Sequence, residues 1–192
     1  MARPSPWNAL NAILDRSRWR GTRTTASGAE LICRVPHVGP EAWFHELHAP
    51  VTEPQLCSLE ARLERAIPRG IRQFLRFRAN GLHLFSDSYS VHGRKWSHER
   101  TGDAAIQPYC IATTNDPVER FRGCPPEYFF FGSYSSDGSR MAYPDPSKSE
   151  EVWLVDRETG RKIAEWPDFW TWLVSEATRY STMYDDNGRL IA

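Results

Sequence analysis

Apolar residues recur at every third or fourth position in four stretches of the chain, a spacing that predicts amphipathic α-helices. The first stretch follows Ser5 and Pro6, a helix-capping serine and a proline suited to the first turn. The other three helices are predicted at residues 53–66, 69–79 and 168–180. Thr52 and Gln55 form a capping box, in which each side chain accepts a hydrogen bond from a free backbone N–H of the other residue.

Shorter apolar runs predict β-strands at residues 31–35, 82–85, 89–92, 128–133, 139–143, 151–156 and 161–164. Residues 128–131 are continuously aromatic, which is typical of a central strand covered on both faces. Asp137-Gly138 is a preferred pair for a tight hairpin turn. Strands joined by hairpins form an antiparallel sheet, so we predict an α+β fold with helices packed against that sheet. We expect Phe130, Trp153 and Phe169 to pack in one core.

The composition is that of a folded protein of about one domain. The chain has 192 residues, of which 40% are apolar and 12% aromatic, too much apolar bulk for a disordered chain. The net charge is zero, yet residues 1–100 carry 15 basic and 9 acidic side chains, and residues 101–192 carry 9 and 15. Either the two halves offset each other when they pack together, or the asymmetry steers a charged partner.

The sequence predicts a protein of the cytoplasm. No stretch approaches the ~20 apolar residues of a membrane helix, and no apolar core of a secretion signal is present, so we expect no association with a membrane. The four cysteines are widely spaced and form no C-x-x-C motif. We therefore expect them to be reduced and mostly buried.

The sequence contains no recognisable catalytic or metal-binding motif. His45, Glu46 and His48 lack the H-E-x-x-H spacing of a metalloprotease, and we expect them in a surface segment before Pro50. The serines of residues 132–136 do not form a nucleophile elbow, and there is no phosphate-binding loop or dinucleotide fingerprint. We therefore predict no catalytic residue, no metal and no cofactor. A cysteine–histidine pair brought together by the fold remains an alternative.

Two charge patterns concern partners. Five arginines recur on the predicted second and third helices at spacings of three and four: Arg62, Arg65, Arg69, Arg72 and Arg76. We interpret them as a solvated face and predict no specific nucleic-acid binding. Acidic residues cluster around the predicted hairpins, flanked by two tyrosines, and we predict that this group binds a basic protein partner. Its members are Tyr134, Asp137, Tyr143, Glu150, Glu151, Asp156 and Glu158.

Three blocks of residues, taken in order, resemble the SUKH superfamily, the Smi/Knr-like domain of a yeast cell-wall regulator and of many bacterial immunity proteins. The first block contains an acidic, leucine-rich helix and the pairs that follow it: residues 56–64, Ile67-Pro68, Phe74-Leu75 and Asn80-Gly81. The second contains the aromatic strand and its hairpin: residues 129–132, residues 136–138, Tyr143 and Asp145. The third contains two strands and a closing helix: residues 152–156, Ile163-Ala164, Phe169, Trp172 and Leu173.

This resemblance covers residues 50–180 and leaves residues 1–49 as an N-terminal extension and 181–192 as a polar tail that frays. It implies an antiparallel sheet of about six strands with helices alongside, and no catalytic residues. In bacteria it implies an immunity protein that binds and blocks a cognate toxin, often a nuclease or deaminase of a polymorphic or contact-dependent system. A regulatory or scaffold protein of the same fold is the alternative, and the sequence leaves the oligomeric state open.

Overall fold

One antiparallel sheet of nine strands runs through the computed structural model, which describes residues 5–99, 101–121 and 123–191. Every strand pairs with its neighbours in the chain, so the sheet order is the sequence order. The strands are β1 (Thr22–Thr24), β2 (Glu30–Arg34), β3 (Trp43–Leu47), β4 (Leu82–Leu84), β5 (Tyr89–Val91), β6 (Phe129–Tyr134), β7 (Arg140–Tyr143), β8 (Val152–Val155) and β9 (Lys162–Trp166). The predicted α+β class is confirmed, although the sheet has nine strands and not about six.

Five α-helices accompany the sheet: α1 (Pro6–Asp15), α2 (Glu53–Leu63), α3 (Arg69–Phe77), α4 (Ile111–Thr114) and α5 (Phe169–Ser181). Thr52 and Gln55 form the predicted capping box at the start of α2. The helix ends earlier than predicted, because Glu64 adopts a left-handed conformation with φ 53° and turns the chain toward α3. Two short 3₁₀ helices lie at Arg18–Arg20 and Gly102–Ala105.

The main core lies between the sheet and its helices. Trp172 of α5 packs against Tyr89 of β5 and Phe131 of β6, with ring centroids 5.9 and 5.3 Å away. Phe74 of α3 contacts Phe169 of α5 at 5.3 Å. These aromatic side chains are almost completely buried. We call this side of the sheet the helix face.

The opposite side, which we call the cleft face, carries a smaller core. Phe130, Ala142 and Val155 are buried there, and Phe121 and Trp153 pack against them. The expectation that Phe130, Trp153 and Phe169 share one core is therefore wrong, since Phe169 lies on the helix face. Residues 94–99 and 101–121 lie along the cleft face, and Asn115 anchors this segment by exchanging two hydrogen bonds with the backbone of Phe130, at 2.7 and 2.9 Å.

The N-terminal 49 residues, expected as an extension, supply α1 and strands β1–β3 of the same sheet. His45 and His48 lie on or directly after β3 and are only 1% exposed, so the expected surface segment is wrong. β3 is an internal strand of the sheet, which pairs with β2 on one edge and with β4 on the other.

The polar tail also differs from its prediction. Tyr184 forms a β-bridge with Leu190, and Gly188 is buried against Val35 and Phe44 of the N-terminal segment. Arg16 pairs with Asp186 across the same junction. Within the described residues, the tail therefore packs against the N-terminal segment. Among the residues that the structure describes, no helix combines the length and the apolar character needed to cross a bilayer.

Candidate functional site

The two tyrosines predicted as partner anchors lie in the core. Tyr143 is fully buried and Tyr134 is 5% exposed. The Tyr134 hydroxyl donates to Glu176 Oε2 at 2.7 Å and accepts from Trp172 Nε1 at 3.0 Å. Burial raises the pKa of both hydroxyls above their usual value. These side chains are therefore structural, and their prediction as exposed anchors is wrong.

A β-bulge in β6 explains the position of Tyr134. Simple alternation from Phe130 would place Tyr134 on the cleft face. The register shifts between Phe130 and Gly132, so that Phe131 is an extra residue. The shift turns Tyr134 into the helix-face core and turns Ser133 toward the cleft face.

The predicted acidic group is divided between the two ends of the sheet. Asp137 lies in the β6–β7 turn, and Asp156 and Glu158 lie in the β8–β9 turn, at the same end of the strands. Glu150 and Glu151 precede β8 and lie at the opposite end. The single acidic surface that we predicted is therefore not formed.

At the first of these ends, the aspartates stabilise turns. Asp137 accepts hydrogen bonds from the Ser139 amide at 2.9 Å and the Ser139 hydroxyl at 2.7 Å. Asp156 accepts from the amide and hydroxyl of Thr159 at 2.7 and 2.6 Å, and these bonds lower its pKa. Both carboxylates thus have a local role that accounts for their presence.

The other end, which we call the acidic end, carries five acidic side chains, of which Asp145 pairs with Lys148: Glu127, Asp145, Glu150, Glu151 and Asp168. They stand in the segments before β6, before β8 and after β9, which meet at one end because β6–β9 pair in succession. Glu151 accepts a hydrogen bond from the Trp153 indole. Glu127 and Glu150 are exposed.

A cleft of about 1110 Å³ lies on the cleft face, between strands β5–β7 and the crossing segment. Five polar residues lie side by side on five neighbouring strands, and part of this row forms the floor of the cleft. Each member pairs directly with the next in the sheet register: Glu46, His83, Ser90, Ser133 and Arg140. Ser90, Ser133 and Arg140 line the cleft itself.

His92 completes the floor of the cleft. Its Nδ1 lies 2.8 Å from the Thr114 hydroxyl. Because that hydroxyl donates its own proton to the Cys110 carbonyl, Thr114 accepts a hydrogen bond from Nδ1, and Nδ1 carries the ring proton. Its Nε2 lies 2.9 Å from the Ser133 hydroxyl and therefore accepts from it. Burial and the charge of Arg140 lower the pKa of His92 to about 3, which keeps the ring neutral at pH 7.

This pair does not have the properties of a catalytic dyad. A general base works best when its pKa lies near the operating pH, and His92 is too weak a base to activate Ser133. Both ring nitrogens are occupied by hydroxyl groups, so His92 is not available to a cysteine. Within the described ranges, no group of three or more His, Cys, Asp or Glu residues is arranged to hold a metal ion. The arrangement is suited to binding.

Basic side chains surround this floor. Four cations line the cleft: Arg62, Lys95, Arg140 and Arg157. The two carboxylates in the lining are Asp87 and Glu119, and Asp87 already binds His83 and the Tyr109 hydroxyl. The cleft is therefore basic, although the chain as a whole is neutral.

The arginine stripe predicted on α2 and α3 does not form one surface. Arg72 pairs with Glu53 and Glu60, whereas Arg65 donates to backbone carbonyls of residues 126–128. Arg62 alone of the five lines the cleft.

Comparison with known families assigns the fold. The profile of the SMI1 / KNR4 family (SUKH-1) matches residues 50–175, about two thirds of the chain. The chain belongs to the SMI1/KNR4 family. The matched part of this SMI1/KNR4 protein begins just before α2 and ends within α5, so it includes β4–β9 and most of the cleft. No curated protein sequence matches the chain.

Domains of the SMI1/KNR4 family are generally non-enzymatic immunity or regulatory domains. The sequence did not predict that the cleft residues form a site, because they come from separate strands and share no regular spacing. The available signal was weak: Ser90 and Ser133 stand as polar residues inside otherwise apolar strands. Such positions mark the face of a strand that does not enter the main core.

Proposed function

We propose that this SMI1/KNR4 protein is an immunity protein of the bacterial cytoplasm that binds and neutralises a cognate toxin. The toxin is a nuclease or deaminase of a polymorphic or contact-dependent system. The observation that carries the proposal is the family match over residues 50–175, since this family is known for immunity proteins. The neutral, weakly basic His92 beside Ser133 supports a role in binding over one in catalysis.

The acidic end is the surface that we assign to the toxin. A nuclease holds phosphate backbones in a basic cleft, and an acidic surface speeds its encounter with the inhibitor and covers that cleft. Glu150 is exposed and Glu151 is half-buried, so both are accessible to a partner. Asp137, Asp156 and Glu158 remain a second acidic patch at the opposite end and provide a matched comparison.

The test is co-expression with the toxin encoded next to the gene. A Glu150→Gln/Glu151→Gln variant removes two charges from the acidic end and keeps the hydrogen-bond acceptor for Trp153. An Asp137→Asn/Glu158→Gln variant removes two charges from the other end and keeps an acceptor in the β6–β7 turn. We expect the first variant to lose protection and to bind about tenfold more slowly at low salt, and the second to match the parent.

The outcomes separate the surface from the function. Equal protection by both variants would contradict the assignment of the acidic end while leaving toxin binding in place. A parent chain that neither protects cells nor forms a complex with the neighbouring toxin on size-exclusion chromatography would favour the regulatory or scaffold alternative.

A further inference from the structure

We propose that the cleft binds a small phosphorylated ligand with an aromatic ring, of the size and chemistry of a nucleoside diphosphate. The proposal is independent of the toxin and of the acidic end.

The cations that line the cleft lack acidic partners. In the described part of the chain, Arg62, Lys95, Arg140 and Arg157 form no salt bridge, although twelve such pairs occur elsewhere. Two of them, Arg140 and Arg157, stand beside each other on neighbouring strand ends. Burial and the charge of Arg157 lower the pKa of Arg140. A bound phosphate would relieve this repulsion, and two guanidinium groups match its oxygen atoms.

The Arg140 guanidinium is already held in place. It lies 4.3 Å from the Phe121 ring centroid and donates to the Glu119 carbonyl at 3.1 Å. Arg157 packs its side chain against Gly138 of the neighbouring turn. Side chains fixed in this way lose little freedom when an anion binds, which favours a specific site.

The floor of the cleft offers hydrogen-bonding groups. Ser133 donates to His92, and its hydroxyl lies 3.1 Å from that of Ser90. The Ser133 hydroxyl lines the cleft and can accept a hydrogen bond from a hydroxyl or amino group of a ligand, whereas Ser90 beside it is only 1% exposed.

Two aromatic residues stand at the lip of the cleft. Trp96 is 38% exposed and Tyr109 is 45% exposed, and both line the cleft. A planar ring that stacks on such a side chain is stabilised whatever its substituents. The combination of aromatic lip, hydroxyl floor and arginine pair fits the base, sugar and phosphates of a nucleotide.

A peptide of a partner protein fits the cleft less well. Peptides that add to a sheet use its free edges, and the strands under the cleft, β5–β7, are internal strands whose edges are paired. The floor is polar, with Ser133 and Arg140 in the lining, whereas the anchor residues of protein partners favour well-packed, desolvated pockets.

The test is isothermal titration calorimetry of the full chain with ADP, adenosine and pyrophosphate. We expect ADP to bind at micromolar to submillimolar concentration, and adenosine and pyrophosphate to bind at least about tenfold more weakly, since each has only half of the contacts. Arg157→Ala should weaken ADP and pyrophosphate about tenfold and leave adenosine unchanged. Trp96→Ala should weaken ADP and adenosine and leave pyrophosphate unchanged. Arg161→Ala, in the same turn but outside the lining, is the matched control.

Three results would overturn the proposal. The first is no heat of binding with millimolar ADP. The second is pyrophosphate binding as tight as ADP binding, which would show a simple phosphate site. The third is tighter binding of a glutamate-rich peptide than of ADP, which would show a docking site for a protein. Arg157 is exposed, so its variant is expected to fold, and thermal unfolding of each variant confirms this.

Discussion

On the helix face, the central strands present Tyr89, Phe131 and Tyr143, whereas on the cleft face they present Ser90, Ser133 and Arg140. The two sets alternate along the same three strands. On the helix face the side chains are packed against α5 and its neighbours. On the cleft face the polar row is left beside an open cleft, so these strands contribute stability with one face and binding groups with the other.

The β-bulge in β6 produces this division. If β6 kept Phe131 but paired in regular alternation without the bulge, Ser133 would face α5 and Tyr134 would face the cleft, so the aromatic core would lose the Tyr134 ring. Gly132 is part of the same device, because a Cβ atom there would lie 2.6 Å from the Ser90 carbonyl oxygen. The bulge thus places a tyrosine in the core and a serine in the cleft.

The largest effect is expected on the helix face. Trp172 is completely buried, and its indole donates to the Tyr134 hydroxyl. We predict that Trp172→Ala lowers the free energy of unfolding by ~3–5 kcal/mol, the usual cost of truncating a buried aromatic residue. Urea titration followed by circular dichroism measures it. Ser90→Ala on the cleft face, measured beside it, should cost less than ~1.5 kcal/mol, and equal costs would contradict the comparison of the two faces.

Where sequence signals are local, the fold was predictable. The capping box of Thr52 and Gln55 and the spacing of apolar residues placed α2, α3 and α5 within a few residues of their observed bounds. The strand β3 was missed because His45 and Glu46 resemble surface residues, and their burial depends on β2 and β4. The burial of such a strand is decided by partners that are distant in the sequence.

The candidate site was less predictable for the same reason. The acidic residues were found by their sequence proximity, but the hairpins send neighbouring clusters to opposite ends of the sheet. The cleft combines residues near positions 90, 110, 135 and 157, which share no local pattern. Whether a strand residue such as Tyr134 faces the core depends on a bulge that the sequence does not reveal.

A smaller effect, about 2 kcal/mol, is expected from acid on the cleft face. The folded-state pKa of His92 is about 3, below the ordinary value of 6.5, so its contribution to stability is complete above pH 6.5 and is lost as the pH falls toward 3. At pH 5 the loss from this residue is about 2 kcal/mol. Urea titrations at pH 7.5 and pH 5.0 should therefore show about 2 kcal/mol less acid destabilisation in His92→Gln than in the parent.

The exposed His37 provides the control for this measurement, since His37→Gln should keep the acid response of the parent. His45 and His48 are also buried, and their pKa values are about 3. The His92→Gln variant, which keeps both residues, should therefore still lose part of its stability in acid. An acid response of His92→Gln identical to that of the parent would show that His92 is not held neutral between Thr114 and Ser133.

The smallest effect is expected in the turn that joins β6 to β7. Asp137 accepts two hydrogen bonds from Ser139, and Gly138 between them has a φ of +71°. We predict that Asp137→Ala lowers the free energy of unfolding by ~0.5–1.5 kcal/mol, because the turn loses these bonds. Asp137→Asn keeps one acceptor and should recover most of that loss. The same variants should leave ADP and toxin binding unchanged, because the role of Asp137 is local. A variant that kept full stability but lost toxin binding would instead move the partner surface to this end of the sheet.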